Sequence, residues 1–148
     1  EDLPSEDKVI IWCNYTYDIL RITKALRAVY GEKAVEPFYG ETTKDERKDI
    51  IKNLNDQAHD LRFFVGQPLT GGRGLNLVRP AMMIYYANSH DIDMRLQSED
   101  RMHRIGQQRT CVYVDLVAKD TVDEKIITAL KNKVNLAKQI GFNYREWL

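Results

Sequence analysis

Apolar and polar positions along this chain switch between two periods. Lys8–Tyr15, KVIIWCNY, is a continuous apolar run behind a polar leader at residues 1–7, the pattern of a strand buried on both faces. Ile19, Leu20, Ile22, Leu26 and Val29 follow at helical spacing, and Gly31 closes that helix. Ala34–Tyr39 reads as a short strand, and GETTKDERKDIIKNLND as a turn and a second helix. Thr43 is placed to cap it, with Glu46 three residues on completing a capping box, and Ile50, Ile51 and Leu54 form its apolar face. Leu61–Val65 is a third strand and Ala81–Ala87 a fourth, separated by the glycine-rich GQPLTGGRGLNL. A helix that stops at Gly106, a strand over Cys111–Ala118 and a long helix from Val122 to about Ile140 complete the chain, with Gly141 ending the last. Strands alternating with helices predict an α/β domain: a mainly parallel sheet with right-handed crossovers, a core over residues 8–118, and a bracing helix and tail over 119–148. Ligands of such sheets sit at the carboxyl ends of the strands, so the glycine-rich loop and the helix before Gly106 should share one edge.

At 148 residues the chain is the size of one domain with its own core, and 43% apolar with 30% charged residues excludes a disordered chain. No apolar run reaches the roughly 18 residues of a membrane span, and no signal peptide is visible. Cys13 and Cys111 each lie in an apolar run and read as buried free thiols of a reducing, intracellular compartment, whether bacterial or virus-infected cytoplasm or a nucleus. The chain begins at Glu1 with no methionine, which predicts a piece of a longer polypeptide. The 22 basic and 22 acidic residues cancel, so contact with DNA would have to come from a local patch and be weak.

The candidate chemistry lies in Gln97–Gln107, QSEDRMHRIGQ. On one helix, Gln97, Arg101 and Arg104 fall at i, i+4 and i+7 and share a face, while Leu96 and Met102 point away and can dock it. Two guanidiniums beside an amide suit a phosphate tail; a solvated face with pairs to Glu99 and Asp100 is the competing reading. Thr70–Leu77, TGGRGLNL, lets backbone N–H groups approach an anion, or serves as a turn. The three histidines have no metal-ligand spacing: His103 supports the arginine segment, and His59 and His90 read as surface residues. A phosphate-binding P-loop, G-x-x-x-x-G-K-[ST], is absent, since GQPLTGG has Gly72 where the lysine must stand. Asp45-Glu46 and Asp123-Glu124 sit at helix starts and not at a strand end that could hold Mg²⁺.

QSEDRMHRIGQ resembles motif VI of superfamily-two helicases in its Swi/Snf form, Q-x-x-D-R-x-H-R-I-G-Q, matching at Gln97, Asp100, Arg101, His103, Arg104, Ile105, Gly106 and Gln107. The glycine-rich stretch resembles motif V, G-G-x-G-x-N-L; KVIIWCNYT resembles motif IV; and YGETTKDER resembles the segment after it, with Tyr39 for the usual Asp. DLVAKDTVDEKIITALKNK resembles the strand and brace helix that close the lobe. The resemblance covers about Lys8 to Lys138. The chain departs from it at Gln67–Thr70 and at His90-Asp91-Ile92, where the family has Ser-Thr-Arg/Lys-Ala and Trp-Asn-Pro.

The resemblance implies the second RecA-like lobe of a DNA translocase, a three-layer domain with a mainly parallel sheet and a long C-terminal helix. It implies that Arg101 and Arg104 are arginine fingers acting on ATP. Gly72, Gly74, Asn76 and Gln97 would then belong to the nucleotide cleft, and Asn14, Thr42 and Thr70 would touch the DNA backbone. ATP and Mg²⁺ would be held mainly by an N-terminal RecA-like lobe of the same polypeptide, with double-stranded DNA as the track. The alternatives are an RNA helicase, against which the H-R-I-G-Q ending argues, and a free-standing binding module of the same fold without catalysis.

Overall fold

The computed structural model describes residues 7–68, 75–89, 91–102 and 105–139, with side chains of the last helix described to residue 132. Five strands form one sheet: Val9–Trp12 (β1), Val35–Phe38 (β2), Phe63–Gly66 (β3), Met82–Tyr85 (β4) and Val112–Asp115 (β5). Their order is β2-β3-β1-β4-β5, and every pairing is parallel. All carboxyl ends therefore lie on one edge. β1 is central, with Val9 opposite Phe63 on one side and Met82 on the other, which is why VIIW is apolar without alternation.

The pleat sorts that run onto two cores. Val9, Ile11 and Cys13 join Val35, Phe63 and Val65 beneath Ile19 of the helix Thr16–Tyr30 (α1). Ile10 and Trp12 join Phe38, Phe64, Met83 and Tyr85 beneath Ile50 and Leu54 of the helix Lys44–Asn55 (α2). Helices on both faces give the three layers expected.

α1 ends at Gly31, whose φ of +93° suits glycine and whose N–H bonds the Arg27 carbonyl at 2.9 Å. Its buried stripe is narrower than the spacing implied. Ile19 and Thr23 are buried, whereas Leu20 and Val29 are 48% and 74% exposed, because about 100° of rotation per residue carries them off the Ile19 line. The capping box of α2 forms as read: Thr43 N–H donates to Glu46 Oε2 at 2.7 Å, and Glu46 N–H to Thr43 Oγ1 at 3.4 Å. The last helix, Val122–Gln139 (α4), begins with Asp123 and Glu124 in its first turn and buries Ile126 and Leu130. No described helix is long and apolar enough to cross a membrane. Cys13 and Cys111 are free thiols, but Cys111, just before the edge strand β5, is only half-buried. Burial, and then Asp18, push the Cys13 thiol up to about 12, so it stays protonated.

Gly66 closes β3 where β2 comes nearest. A Cβ there would stand 2.8 Å from the Phe38 carbonyl oxygen and 2.9 Å from Phe64 Cε1. Gly66→Ala is expected to destabilise the domain by about 1–3 kcal/mol, read as a lower denaturation midpoint with unchanged slope. An alanine variant as stable as the parent would mean that β2 and β3 can part without cost.

Candidate functional site

The carboxyl edge collects Asn14 after β1, Gln67 and Pro68 after β3, Tyr86–Ser89 after β4, and the helix Ile92–Asp100 (α3). Asp91 caps α3 through Oδ1, which accepts from Met94 N–H at 3.1 Å. The helix stops at Asp100, one turn and a half before the Gly106 expected, and Gly106 turns instead at φ +104°. Arg101 is the C-terminal cap residue and still has helical backbone angles, at φ −68° and ψ −29°. Leu96 is half-buried; Ser98 is the α3 residue turned fully inward, and Met102 docks the segment as expected.

Arg101 is only 7% exposed. Its Nη2 donates to the Pro68 carbonyl at 2.6 Å, and its guanidinium lies 5.3 Å from the Trp12 ring centroid. Its own carbonyl accepts from Leu77 N–H at 3.0 Å. Gln107 Nε2 donates to the Pro80 carbonyl at 2.8 Å, so the arginine segment is pinned to residues 77–80 on both sides. Gln97 is exposed, so it does not share an outward face with Arg101. Glu99 pairs with Arg95 at 2.6 Å.

The remaining sites of the reading are dispersed. Asn14 Nδ2 donates to the Asn88 carbonyl at 3.4 Å, and its carbonyl accepts from Gln67 Nε2 at 3.0 Å. Thr42 Oγ1 accepts from Tyr39 N–H at 3.0 Å, a turn role at the end of β2. Asn76 has an exposed side chain, and its carbonyl accepts from Asn55 Nδ2 at 2.8 Å. Thr70, Gly72, Gly74, His90, His103 and Arg104 lie outside the described residues. His59 is at the surface, its Nδ1 accepting from Leu61 N–H at 3.0 Å.

Sequence reasoning missed Arg95. It bonds Asp115 at the end of β5 (Nη1 to Oδ1, 2.5 Å) and Asn88 Oδ1 (2.7 Å), and it lies 3.6 Å from the Tyr85 ring centroid. Burial alone would lower its pKa; the bond to Asp115, the bond to Glu99 and the Asp115 charge outweigh burial and keep it above the ordinary arginine value. The i,i+4 spacing to Glu99 was visible in the sequence, whereas the partnership with Asp115 depends on β5 lying beside β4.

The two cavities described at the carboxyl edge do not suit a nucleotide. The space among Asn14, Pro68, Tyr85, Asn88, Met94 and Arg95 is about 10 Å³, enough for one water against the several hundred Å³ of a ligand site. A larger groove, lined by Glu36, Glu41, Glu46 and Asp49, has the wrong charge for phosphate. Among the described residues no cluster of His, Cys, Asp or Glu could hold a metal. What the described edge offers is two arginines held largely out of water, Arg95 and Arg101, beside the amide groups of Asn14, Gln67 and Asn88.

The profile of the family described as "Helicase conserved C-terminal domain" matches residues 2–106. The chain belongs to that family. Five parallel strands with helices on both faces form its RecA-like fold, and the lobe is of the Swi/Snf type. It is 34% identical over 140 residues to the Caenorhabditis elegans "SWI/SNF-related matrix-associated actin-dependent regulator of chromatin subfamily A containing DEAD/H box 1 homolog", which covers 90% of this chain and 13% of that protein. It is 30% identical over 137 residues to "ATP-dependent helicase fft3" of Schizosaccharomyces pombe, covering 93% of the chain and 14% of that protein. The crystal structure of the C-terminal part of the Fun30 ATPase domain superposes with a TM-score of 0.71 at 27% identity, over 84% of this chain and 39% of that one. The lobe thus spans only a small share of its relatives.

Proposed function

We infer that this lobe is the second motor lobe of an ATP-dependent DNA translocase of Swi/Snf type. It supplies Arg101 and Arg104 to the phosphate tail of ATP held on an N-terminal RecA-like lobe of the same polypeptide. Gly72, Gly74, Asn76 and Gln97 border the nucleotide, and Asn14, Thr42 and Thr70 belong to half of a duplex DNA track. Mg²⁺, which neutralises charge on the phosphates, would be held by the other lobe, because this chain has no P-loop and the acid that ends β5, Asp115, is engaged by Arg95 and Asn88.

The observation that carries the reading is the seat of Arg101. Its guanidinium is already out of water at the carboxyl edge and donates to a neutral carbonyl. A phosphate oxygen bonds a guanidinium more strongly than a carbonyl does, so exchange of Pro68 for phosphate is downhill once another lobe presents the nucleotide. The name of the Caenorhabditis elegans relative calls it a regulator of chromatin, and by that kinship the substrate here is DNA in chromatin.

The test is purification of the 148-residue chain alone. It should hydrolyse no ATP with or without DNA, and bind duplex DNA weakly with a steep salt dependence, since only a few phosphate contacts are available to a chain of zero net charge. DNA-stimulated turnover that survives Arg101→Ala would reveal a complete site within the lobe. Sub-micromolar binding at physiological salt would mark a free-standing DNA-binding module instead.

A further inference from the structure

α3 leads into Arg101, and apolar contact accounts for only part of how it sits. Ile92, Met94 and Leu96 are half-buried, Met102 docks the segment just beyond, and Ser98 is the one fully buried residue of α3. Polar contacts set the rest. Arg95 and Ser98 stand one turn apart on one face, and both grip Tyr85: the guanidinium lies over its ring at 3.6 Å, and Ser98 Oγ meets its hydroxyl at 2.6 Å. Burial foremost keeps that phenol protonated by raising its pKa. Two grips one turn apart on a single rigid side chain define the roll of a helix.

A third anchor sets its lateral position. Arg95 reaches both oxygens of Asp115, at 2.5 and 3.4 Å, and Asn88 braces the pair by accepting from Arg95 at 2.7 Å and donating to Asp115 Oδ1 at 2.8 Å. Asn88 in turn accepts from Asn14, and Asn14 and Pro68 line the small cavity beside Arg95. The cluster therefore spans the ends of β5, β4 and β1 and stops at the residue on which Arg101 is seated.

We propose that Arg95 is a positioning residue of the motor site: anchored on Asp115 and Tyr85, it fixes the roll and lateral position of α3, and so the point at which Arg101 leaves the helix. This rests on the finger reading of Arg101 given above. A charged pair is suited to the task because its geometry is directional, whereas an apolar contact of equal volume holds the helix without aiming it. Misplacement of a reacting group by about 1 Å costs roughly 100-fold in rate.

The experiment compares Arg95→Met, Asp115→Leu and the double variant. Each single change takes the main partner from a part-buried charge and should lower the melting temperature, and the double should recover it by replacing the pair with apolar contact. In the polypeptide that carries both lobes, the double variant is expected to lose about 10- to 100-fold in kcat with the KM for ATP changed less than about threefold. In the 148-residue chain, the Arg101 Nε–Hε resonance, displaced by the Trp12 ring in the parent, should shift towards its solvent value in the double variant. The same resonance is read in Arg95→Lys well below melting, so the test stands even if the double variant melts early. An Arg101 resonance unmoved in both variants overturns the proposal, whatever the turnover. A displaced resonance with undiminished hydrolysis upholds the positioning and sinks the finger reading instead.

Discussion

Arg104→Ala, in the polypeptide that carries this lobe, is expected to lower DNA-stimulated ATP hydrolysis by about 10³–10⁵-fold, the range assigned to an arginine finger. That corresponds to about 4–7 kcal/mol of transition-state stabilisation, against the ~0–1 kcal/mol of a surface ion pair. Affinity for nucleotide should change little, because the other lobe holds most of it. Lysine at position 104 should rescue poorly, since a point-charge ammonium lacks the planar fork. Arg101→Ala should abolish turnover equally, but with a lower melting temperature, because it also strips the donor from the Pro68 carbonyl and the cation from Trp12. Turnover, nucleotide affinity and melting measured on one preparation separate the cases. Hydrolysis within a few-fold of the parent, or lost only with the fold, would return both arginines to a structural role.

Trp12→Ala should be the most damaging change to the lobe itself. Trp12 is fully buried in the middle strand, its ring edge-on to Phe64 at 5.6 Å and beneath Arg101 at 5.3 Å. Emptying that volume is expected to cost about 3–5 kcal/mol, a large part of the roughly 5–15 kcal/mol that holds a domain folded. Thermal unfolding followed by near-ultraviolet circular dichroism should fall on the order of 10 °C. A shift of a degree or two would show that the core over β1 refills the space. Because the same ring faces Arg101, a folded Trp12→Ala lobe should also lose motor activity.

Features set by neighbours in sequence were legible before the structure. The capping box of α2 needs only Thr43 and Glu46, and Gly31 ends α1 because few other residues adopt its backbone. The parallel sheet followed from strands of unbroken apolar character alternating with helices, and the family from a motif of eight matching positions in eleven. Features set by distant partners were not. Helical spacing predicts a single face with Gln97, Arg101 and Arg104 on a helix running to Gly106. The fold ends the helix at Asp100, turns Ser98 inward onto a tyrosine of β4, and folds Arg101 under the edge. Arg95 looked like any charged helix residue until β5 brought Asp115 beside it. Thr42 accepts within the turn after β2, while Asn14 ties the end of β1 to the segments after β3 and β4.

The middle position of β1 has a consequence for how the chain reaches this fold. Of the five strands of this sheet, the first to be synthesised is the one that needs partners on both sides, and Val9 must wait for Phe63 and then for Met82. Every ladder in the sheet is parallel, so none can close as a local hairpin, and each contact must offset the entropy of a long loop. Folding should therefore be slow for a domain of this size, with the sticky segment VIIW exposed until residue 66 has left the ribosome. Lys8, buried at the foot of that strand with its ammonium donating to the carbonyls of Asn53, His59 and Leu61, is a charge set beside the most aggregation-prone stretch. A charge flanking an apolar strand opposes aggregation before the fold closes; in the finished lobe the same ammonium fastens the strand to the end of α2 and the connection to β3.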